Sequence, residues 1–77
     1  LGLGKADLTV FNPLSAAVLK QQVVEFTYRK PGSASTSTRR VRPYHLANRE
    51  NLWYLIAFDE ARGALRTFAV PRITGLR

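Results

Sequence analysis

Alternating apolar and polar side chains predict short β-strands through most of this sequence, arranged around one apolar run near its centre. The run covers residues 51–58, contains no charged side chain and ends at Asp59 and Glu60. Its length and its aromatic and branched side chains predict a buried strand. Alternate side chains of a strand lie on opposite faces, and both faces of this one are apolar. We therefore expect an inner strand of a small bent sheet, covered on both sides. One face would carry Leu52, Tyr54, Ile56 and Phe58, and the other Trp53, Leu55 and Ala57.

Before this strand, side chains also alternate between apolar and polar in two segments that a polar loop separates. Residues 24–28 alternate apolar with polar side chains, which predicts a strand with one buried face. Residues 29–38 are rich in serine and threonine and predict a hairpin loop. The next strand is expected over 39–47, but its apolar series changes parity around Pro43. Because proline cannot donate to a strand ladder, we expect a β-bulge near Pro43 that bends this strand.

Two turns and two further strands complete the predicted sheet. Residues 48–51 predict a tight turn, and Gly63 occupies the position of a hairpin turn that requires a positive φ. A fourth strand is expected over 65–70, interrupted by Pro71, and a short fifth strand over 72–76. Five short, bent antiparallel strands close best as a partly open small barrel.

One helix is predicted before the strands. Asn12 and Pro13 are typical of a helix start, because Asn caps free amide groups and Pro is tolerated in the first turn. We expect about nine or ten helical residues from there, a length that is unstable alone and must dock on the sheet. Residues 1–11 are predicted to be a linker or extended lead-in, and residues 12–77 the domain. The apolar stripe would consist of Leu14, Ala17, Val18 and Gln21.

The charge of the chain changes this picture by indicating a partner. The net charge is +7, and nine of the twelve basic residues are arginine. Residues 29–49 contain six basic side chains and no acidic one. Arginine presents a planar fork that suits phosphate, so a polyanion such as nucleic acid is the expected partner. The alternative is that a small domain is basic only for solubility.

Composition restricts the function classes further. Seventy-seven residues form one domain at most. Cysteine is absent, which excludes disulfides and thiolate sites and fits a cytoplasmic location. Methionine is absent too, even at position 1, so we expect a piece excised from a longer protein. No apolar run reaches the roughly 20 residues that cross a membrane. We find no phosphate loop, no carboxylate pair and no nucleophile beside a base, so we predict no enzyme activity, no cofactor and no metal site.

Four segments of the sequence resemble the WYL domain. They are residues 26–28, 39–46, 53–55 and 66–73, and the third is the Trp-Tyr-Leu tripeptide itself. The resemblance implies an Sm-like or SH3-like five-stranded barrel preceded by a helix. It also implies a sensor in a bacterial transcription regulator, after an upstream helix-turn-helix domain, that binds single-stranded nucleic acid or a nucleotide-like anionic effector. The alternative function is a protein interaction or homodimerisation module without a nucleic-acid ligand.

The resemblance also implies ligand-facing residues: Tyr28, Arg39, Tyr44, His45, Arg66 and Arg72. The sequence departs from many family members at Ala69 and Pro71, where an arginine and an aspartate are common. We favour ligand contacts for Arg39, Arg66 and Arg72; the alternative is structural ion pairs with Asp59, Glu60 or Glu25. For the Trp-Tyr-Leu tripeptide we favour a scaffold role over a platform for base stacking. The remaining basic residues are interpreted as a solvated face: Arg29, Lys30, Arg40, Arg42 and Arg49.

Overall fold

One helix and five antiparallel strands make up the described chain. The computed structural model describes residues 5–77. The predicted mainly-β fold with an N-terminal helix is confirmed. A short 3₁₀ turn, Val70–Arg72, separates the last two strands. The elements are α1 (Lys5–Lys20), β1 (Val24–Arg29), β2 (Thr36–Arg49), β3 (Leu52–Asp59), β4 (Ala64–Ala69) and β5 (Ile73–Thr74).

All five strands belong to one sheet, in the order β4-β3-β2-β1-β5. The tryptophan strand β3 pairs with both β2 and β4, so the prediction of an inner strand is confirmed. Its inward side chains Leu55 and Ala57 are fully buried. Its outward side chains are only partly covered, so the expectation of cover on both sides was wrong. Tyr54, Ile56 and Phe58 are half-buried there and Leu52 is exposed.

The predicted β-bulge is confirmed. Pro43 pairs with Ala57 and His45 pairs with Ile56, so Tyr44 is the extra residue with no partner on β3. Pro43 lies on the inner face before the bulge. The extra residue puts Leu46, which pairs with Leu55, on the same inner face after it. Both halves of β2 thereby keep apolar side chains toward the core although their sequence parity differs.

The two hairpin turns of β3 have left-handed residues. Glu50 and Asn51 have φ of 53° and 65° and form a two-residue turn between β2 and β3. Positive φ at both central residues matches the right-handed twist of the flanking strands. Gly63 has φ of 62°, which confirms the prediction for the β3–β4 turn.

The helix begins earlier than predicted. It starts at Lys5, so Asn12 and Pro13 lie inside it, and the lead-in prediction was wrong for residues 5–11. Residues 1–4 lie outside the described range, and a domain boundary at residue 12 stays a prediction. The helix extends backward because it has apolar surface to bury there. Phe11 packs edge-on against Trp53, with ring centroids 4.9 Å apart. This packing offsets the loss of the hydrogen bond that Pro13 cannot donate.

Gln21 ends the helix in the left-handed conformation, with φ of 55°. The N–H of Gln22 donates to the carbonyl of Ala17 and that of Gln21 to the carbonyl of Val18, which is a Schellman motif. This turn leads directly into β1.

The core lies between α1 and the inner face of the sheet. Because neighbouring strands are antiparallel, the starts of β1 and β3 and the ends of β2 and β4 lie at one end of the sheet. Contact of α1 with Trp53 places the helix at this end. The other end, where β1 and β3 finish and β2 and β4 start, is called the open end below. The buried apolar residues are Leu14, Ala17, Val24, Phe26, Tyr28, Val41, Leu55, Ala57, Phe68, Val70 and Ile73. Within residues 5–77, no helix is long and apolar enough to cross a membrane.

Candidate anion-binding site

Arg39 lies on the core face of the sheet, at the open end. It pairs in register with Phe26, which directs its side chain inward, and it is 8% exposed. Its Nη1 donates to Oδ2 of Asp59 at 2.9 Å, and its Nε donates to Oγ of Ser37 at 2.8 Å. Asp59 ends β3 and is fully buried. The first charged residue after the apolar run is therefore the carboxylate that neutralises Arg39.

Two aromatic rings surround the Arg39 guanidinium. Its Cζ lies 5.9 Å from the ring centroid of Tyr28 and 5.5 Å from that of Phe68. Both distances are within the range of cation–π attraction, which offsets part of the hydration that a buried guanidinium loses. Tyr28 is itself held, because its hydroxyl oxygen accepts a hydrogen bond from the N–H of Ala69 at 3.0 Å. The orientation of Arg39 is thus fixed on several sides.

Asp59 accepts hydrogen bonds from the β3–β4 turn as well. Nη1 of Arg62 reaches its Oδ2 at 3.3 Å, and the N–H groups of Ala61 and Arg62 reach its Oδ1 at 3.1 and 3.4 Å. Burial alone would raise the pKa of the Asp59 carboxyl, but these partners outweigh it. The hydrogen bonds from Arg39 and the Arg62 backbone, with both positive charges, lower that pKa from its ordinary value of 3.8. Asp59 is therefore ionised at neutral pH.

Two more arginines lie at the open end. Arg66 pairs with Ala57 and shares the face of Phe68, as expected, but it is exposed. It has no hydrogen-bond or ion-pair partner in the described part of the chain. Arg72 is half-buried, and its Nη1 donates to the carbonyls of Lys30 and Arg29 at 3.2 and 3.5 Å. Arg72 thus ties the start of β5 to the end of β1.

Guanidinium groups outnumber carboxylates at the open end. Every buried side-chain nitrogen and oxygen in the described range has a hydrogen-bond partner. Nη2 of Arg39 has none, so it must reach solvent. Among the residues whose side chains are described, Asp59 is the one acidic partner of Arg39 and Arg62. Arg66 adds a charge that no described carboxylate compensates. The arrangement leaves a local positive charge with free N–H donors.

The predicted solvated face is partly neutralised. On the outer side of the sheet, Nε of Arg40 and Nε of Arg42 each lie 3.1 Å from a different carboxylate oxygen of Glu60. Both arginines are about 60% exposed, and exposed pairs of this kind contribute little to stability. Arg29, Lys30 and Arg49 are exposed, as expected.

Tyr44 and His45 lie apart from the arginines. Tyr44 projects from the bulge, is 55% exposed and lines a cleft of about 550 Å³ beside the end of α1. His45 is exposed and lies on the outer face, opposite Ile56. Of the six predicted site residues, the structure thus brings together only Tyr28, Arg39, Arg66 and Arg72 at or beneath the open end.

Arg62 was not among the site residues predicted from the sequence. The signal was the spacing Asp-x-x-Arg within a hairpin turn, where residues three apart can share a hydrogen bond. Asp59 was expected only as one of three candidate ion-pair partners. Leu55 is buried in the core, and Trp53 packs on both the core and Phe11, as the scaffold interpretation requires. No group of three or more potential metal ligands occurs among residues 8–77, whose side chains the structure describes.

These features describe a small five-stranded β-domain with one helix and an arginine-rich end. The chain belongs to the WYL domain family, whose sequence pattern matches residues 9–77. It is 35% identical over 60 residues to Protein PafB of Mycobacterium leprae (strain TN), an alignment covering 78% of this chain and 18% of that protein.

A solved structure shows the same fold. It is that of Proteasome accessory factor B/C (PafBC) of Arthrobacter aurescens, with a TM-score of 0.91. The similarity covers 99% of this chain and 12% of that one, at 18% sequence identity. This chain spans less than a fifth of the length of either relative.

Proposed function

We propose that this WYL domain is the ligand-sensing part of a bacterial transcription regulator and that it binds an anionic effector, single-stranded nucleic acid or a nucleotide, at the open end. The observation that carries the proposal is Arg66, an exposed guanidinium on the inner sheet face with no protein partner in the described chain. Arg66 shares a sheet face with Phe68, whose ring centroid lies 5.5 Å from Cζ of Arg39. A cation there without a partner in the described chain suits phosphate. Membership of the WYL family and the net charge of +7 add support.

Each arginine has a distinct part in this binding. Arg66 forms the fork-to-phosphate contact, since its donors have no partner among the described residues. Arg39 offers Nη2 while Asp59, Tyr28 and Phe68 hold the rest of its guanidinium in place. Arg72 uses the donors that its carbonyl contacts leave free. Tyr28 acts through its ring, because its hydroxyl already accepts from Ala69.

The size of the ligand decides whether Tyr44 and His45 take part. Tyr44 lies five residues beyond Arg39 on β2, roughly 16 Å along a strand, and it projects from the bulge. A mononucleotide held by Arg39 is shorter than this distance. Contacts to Tyr44 and His45 therefore belong to an oligonucleotide that continues along β2. Weaker oligonucleotide binding by Tyr44→Ala, with unchanged mononucleotide binding, is the expected pattern.

The parent protein completes the proposal. An upstream helix-turn-helix domain in the same chain binds the target DNA, and the effector at the open end alters its activity. This regulator is cytoplasmic and has no catalytic role.

Fluorescence anisotropy with a labelled single-stranded oligonucleotide tests the site. Removing phosphate contacts lowers the magnitude of the log–log salt slope by roughly 0.7 per contact. The double variant Arg66→Ala with Arg72→Ala is expected to bind more weakly and with a smaller slope than the wild-type domain. Arg49→Ala removes an exposed arginine on the other sheet face and serves as the charge control. Equal binding by the double variant and this control would refute the proposed site.

One observation favours the alternative function, a protein interaction module. Strand β4 is an edge of the sheet, and its outward side chain Leu65 is 59% exposed. An edge strand with an exposed apolar side chain can pair with another chain, including a second copy. Light scattering across a concentration series distinguishes the two functions. A dimer that Leu65→Lys dissociates, together with no oligonucleotide binding at low salt, would favour the alternative.

A further inference from the structure

The β3–β4 turn holds Arg62 in one position. The N–H groups of Ala61 and Arg62 both donate to Oδ1 of Asp59, and the N–H of Gly63 donates to the Asp59 carbonyl at 2.8 Å. These bonds fix the backbone from which the Arg62 side chain extends. The side chain returns to the same carboxylate through Nη1. Both the backbone and the guanidinium of Arg62 are therefore ordered by Asp59.

Arg62 and Arg39 share one oxygen atom. Their Nη1 atoms lie 3.3 and 2.9 Å from Oδ2 of Asp59. Their separation cannot exceed the sum of these two distances, so the two guanidinium groups are neighbours. A single carboxylate compensates only one of the two charges. The two positive charges repel each other. Their shared hydrogen-bond acceptor on Asp59 keeps them close together.

Arg62 has further N–H donors besides Nη1. Its side chain is 35% exposed, and its Nε and Nη2 have no partner among the described residues. Nη2 of Arg39 also reaches solvent. An anion at the open end can accept from both guanidinium groups while each keeps its Nη1 on Asp59.

We infer that Arg62 is a ligand-contacting residue for the phosphate group at the open end and that Asp59 is the positioning residue that aims Arg62 and Arg39 at it. This inference rests on the proposed function. It adds a contact from the β3–β4 turn and gives a buried acidic residue a role in binding an anion. The expected ligand is an oligonucleotide or nucleotide phosphate that accepts hydrogen bonds from Nε and Nη2 of Arg62 and from Nη2 of Arg39.

The first experiment compares Arg62→Ala with Arg40→Ala. Arg40 is a matched control, because it also shares one carboxylate, that of Glu60, with a second arginine, but on the outer face. In oligonucleotide titrations, Arg62→Ala is expected to bind more weakly than Arg40→Ala. Its salt slope is expected to fall by roughly 0.7 relative to that of the wild-type domain. Identical affinity and slope for the two variants would overturn the contact.

The second experiment tests the positioning role of Asp59. Asp59→Asn keeps an oxygen acceptor for the turn N–H groups but removes a negative charge, so simple electrostatics predicts tighter anion binding. Positioning predicts the opposite, weaker binding with a smaller salt slope, at a temperature where Trp53 fluorescence shows that the variant is folded. Tighter binding by Asp59→Asn would overturn the positioning role.

A third variant covers the case in which Asp59→Asn does not fold. Arg62→Lys retains the charge but cannot bridge a carboxylate and a phosphate with two separate N–H arms. It is expected to bind as weakly as Arg62→Ala, and binding equal to the wild type would show that charge alone matters. Failure of the proposed function is distinguishable, since a wild-type domain that binds no oligonucleotide at low salt would refute both ideas. Wild-type binding that Arg66→Ala weakens but Arg62→Ala does not would refute only this inference.

Discussion

Nη1 of Arg39 and Oδ2 of Asp59 lie 2.9 Å apart in the interior, and this contact joins the first half of β2 to the last residue of β3. Residue 59 pairs with Val41 on β2, so Asp59 lies opposite the core residue that follows Arg39 by two positions. The ion pair closes the apolar core at the open end. Nη1 of Arg39 and the Asp59 carboxylate belong to the folded interior, while Nη2 of Arg39 faces solvent and the proposed ligand.

Removing the carboxylate of this pair is expected to destabilise the domain strongly. Asp59→Ala leaves the buried Arg39 guanidinium without its counter-charge, and breaking a buried pair on one side costs about 3–5 kcal/mol. The free energy of unfolding, measured by urea titration with Trp53 fluorescence, should fall accordingly. Replacing both partners, as in Arg39→Met with Asp59→Leu, should be less harmful, because no buried charge remains. A double variant as unstable as Asp59→Ala would contradict this explanation.

The stability of the domain is expected to decrease in acid because of the same carboxyl. The pKa of Asp59 is lower in the folded chain than its ordinary value of 3.8, so the folded state favours the ionised form. The resulting stabilisation is fully present above the unfolded pKa and is lost as the pH falls through the folded pKa. The difference in unfolding free energy between wild type and Asp59→Asn should therefore shrink below about pH 4. A difference that stays constant down to pH 2 would show that ionisation of Asp59 is not responsible.

The early helical residues are expected to stabilise the fold through Phe11. Phe11→Ala removes the edge-on contact with Trp53, and loss of a half-buried aromatic side chain costs about 1–3 kcal/mol. The urea midpoint should fall, and the fluorescence of Trp53, the only tryptophan, should shift to the red as its ring becomes wetter. Leu19→Ala is the control, since Leu19 lies on the same helix and is 83% exposed. Equal effects from both substitutions would exclude a specific role for the Phe11 contact.

Most of the strand arrangement followed from local patterns. Alternation of side chains identified β1, and the uncharged apolar run identified β3. The parity change around Pro43 located the bulge, because a strand cannot keep both apolar series inward without an extra residue. Gly63 marked a turn that needs positive φ. The helix start was wrong because local capping preferences at Asn12 and Pro13 are weaker than the tertiary contact between Phe11 and Trp53.

The candidate site was predicted only in part. The arginine bias and the WYL motif pointed to Arg39, Arg66 and Arg72, but no local pattern distinguishes a buried arginine from a free one. Arg39 is 20 residues away from Asp59 in sequence, and the register of β2 on β3 brings them together. The same register separates Tyr44 and His45 from Arg39, Arg66 and Arg72, since Tyr44 is the bulge residue and has no partner on β3. The motif named both groups of residues together, although His45 lies on the outer face and Tyr44 in a cleft beside α1.

Residue types and short-range periodicity were enough to establish the order of elements, the apolar central strand and the surplus of arginine. Three further outcomes required the folded chain: which arginine is held by a carboxylate, which one is left free, and where Arg62 joins them. They depend on strand pairing and on burial, which a short stretch of sequence does not determine. A guanidinium can remain inside only where the fold supplies a counter-charge and aromatic rings, and it stays available to a ligand only where the fold leaves a donor in water.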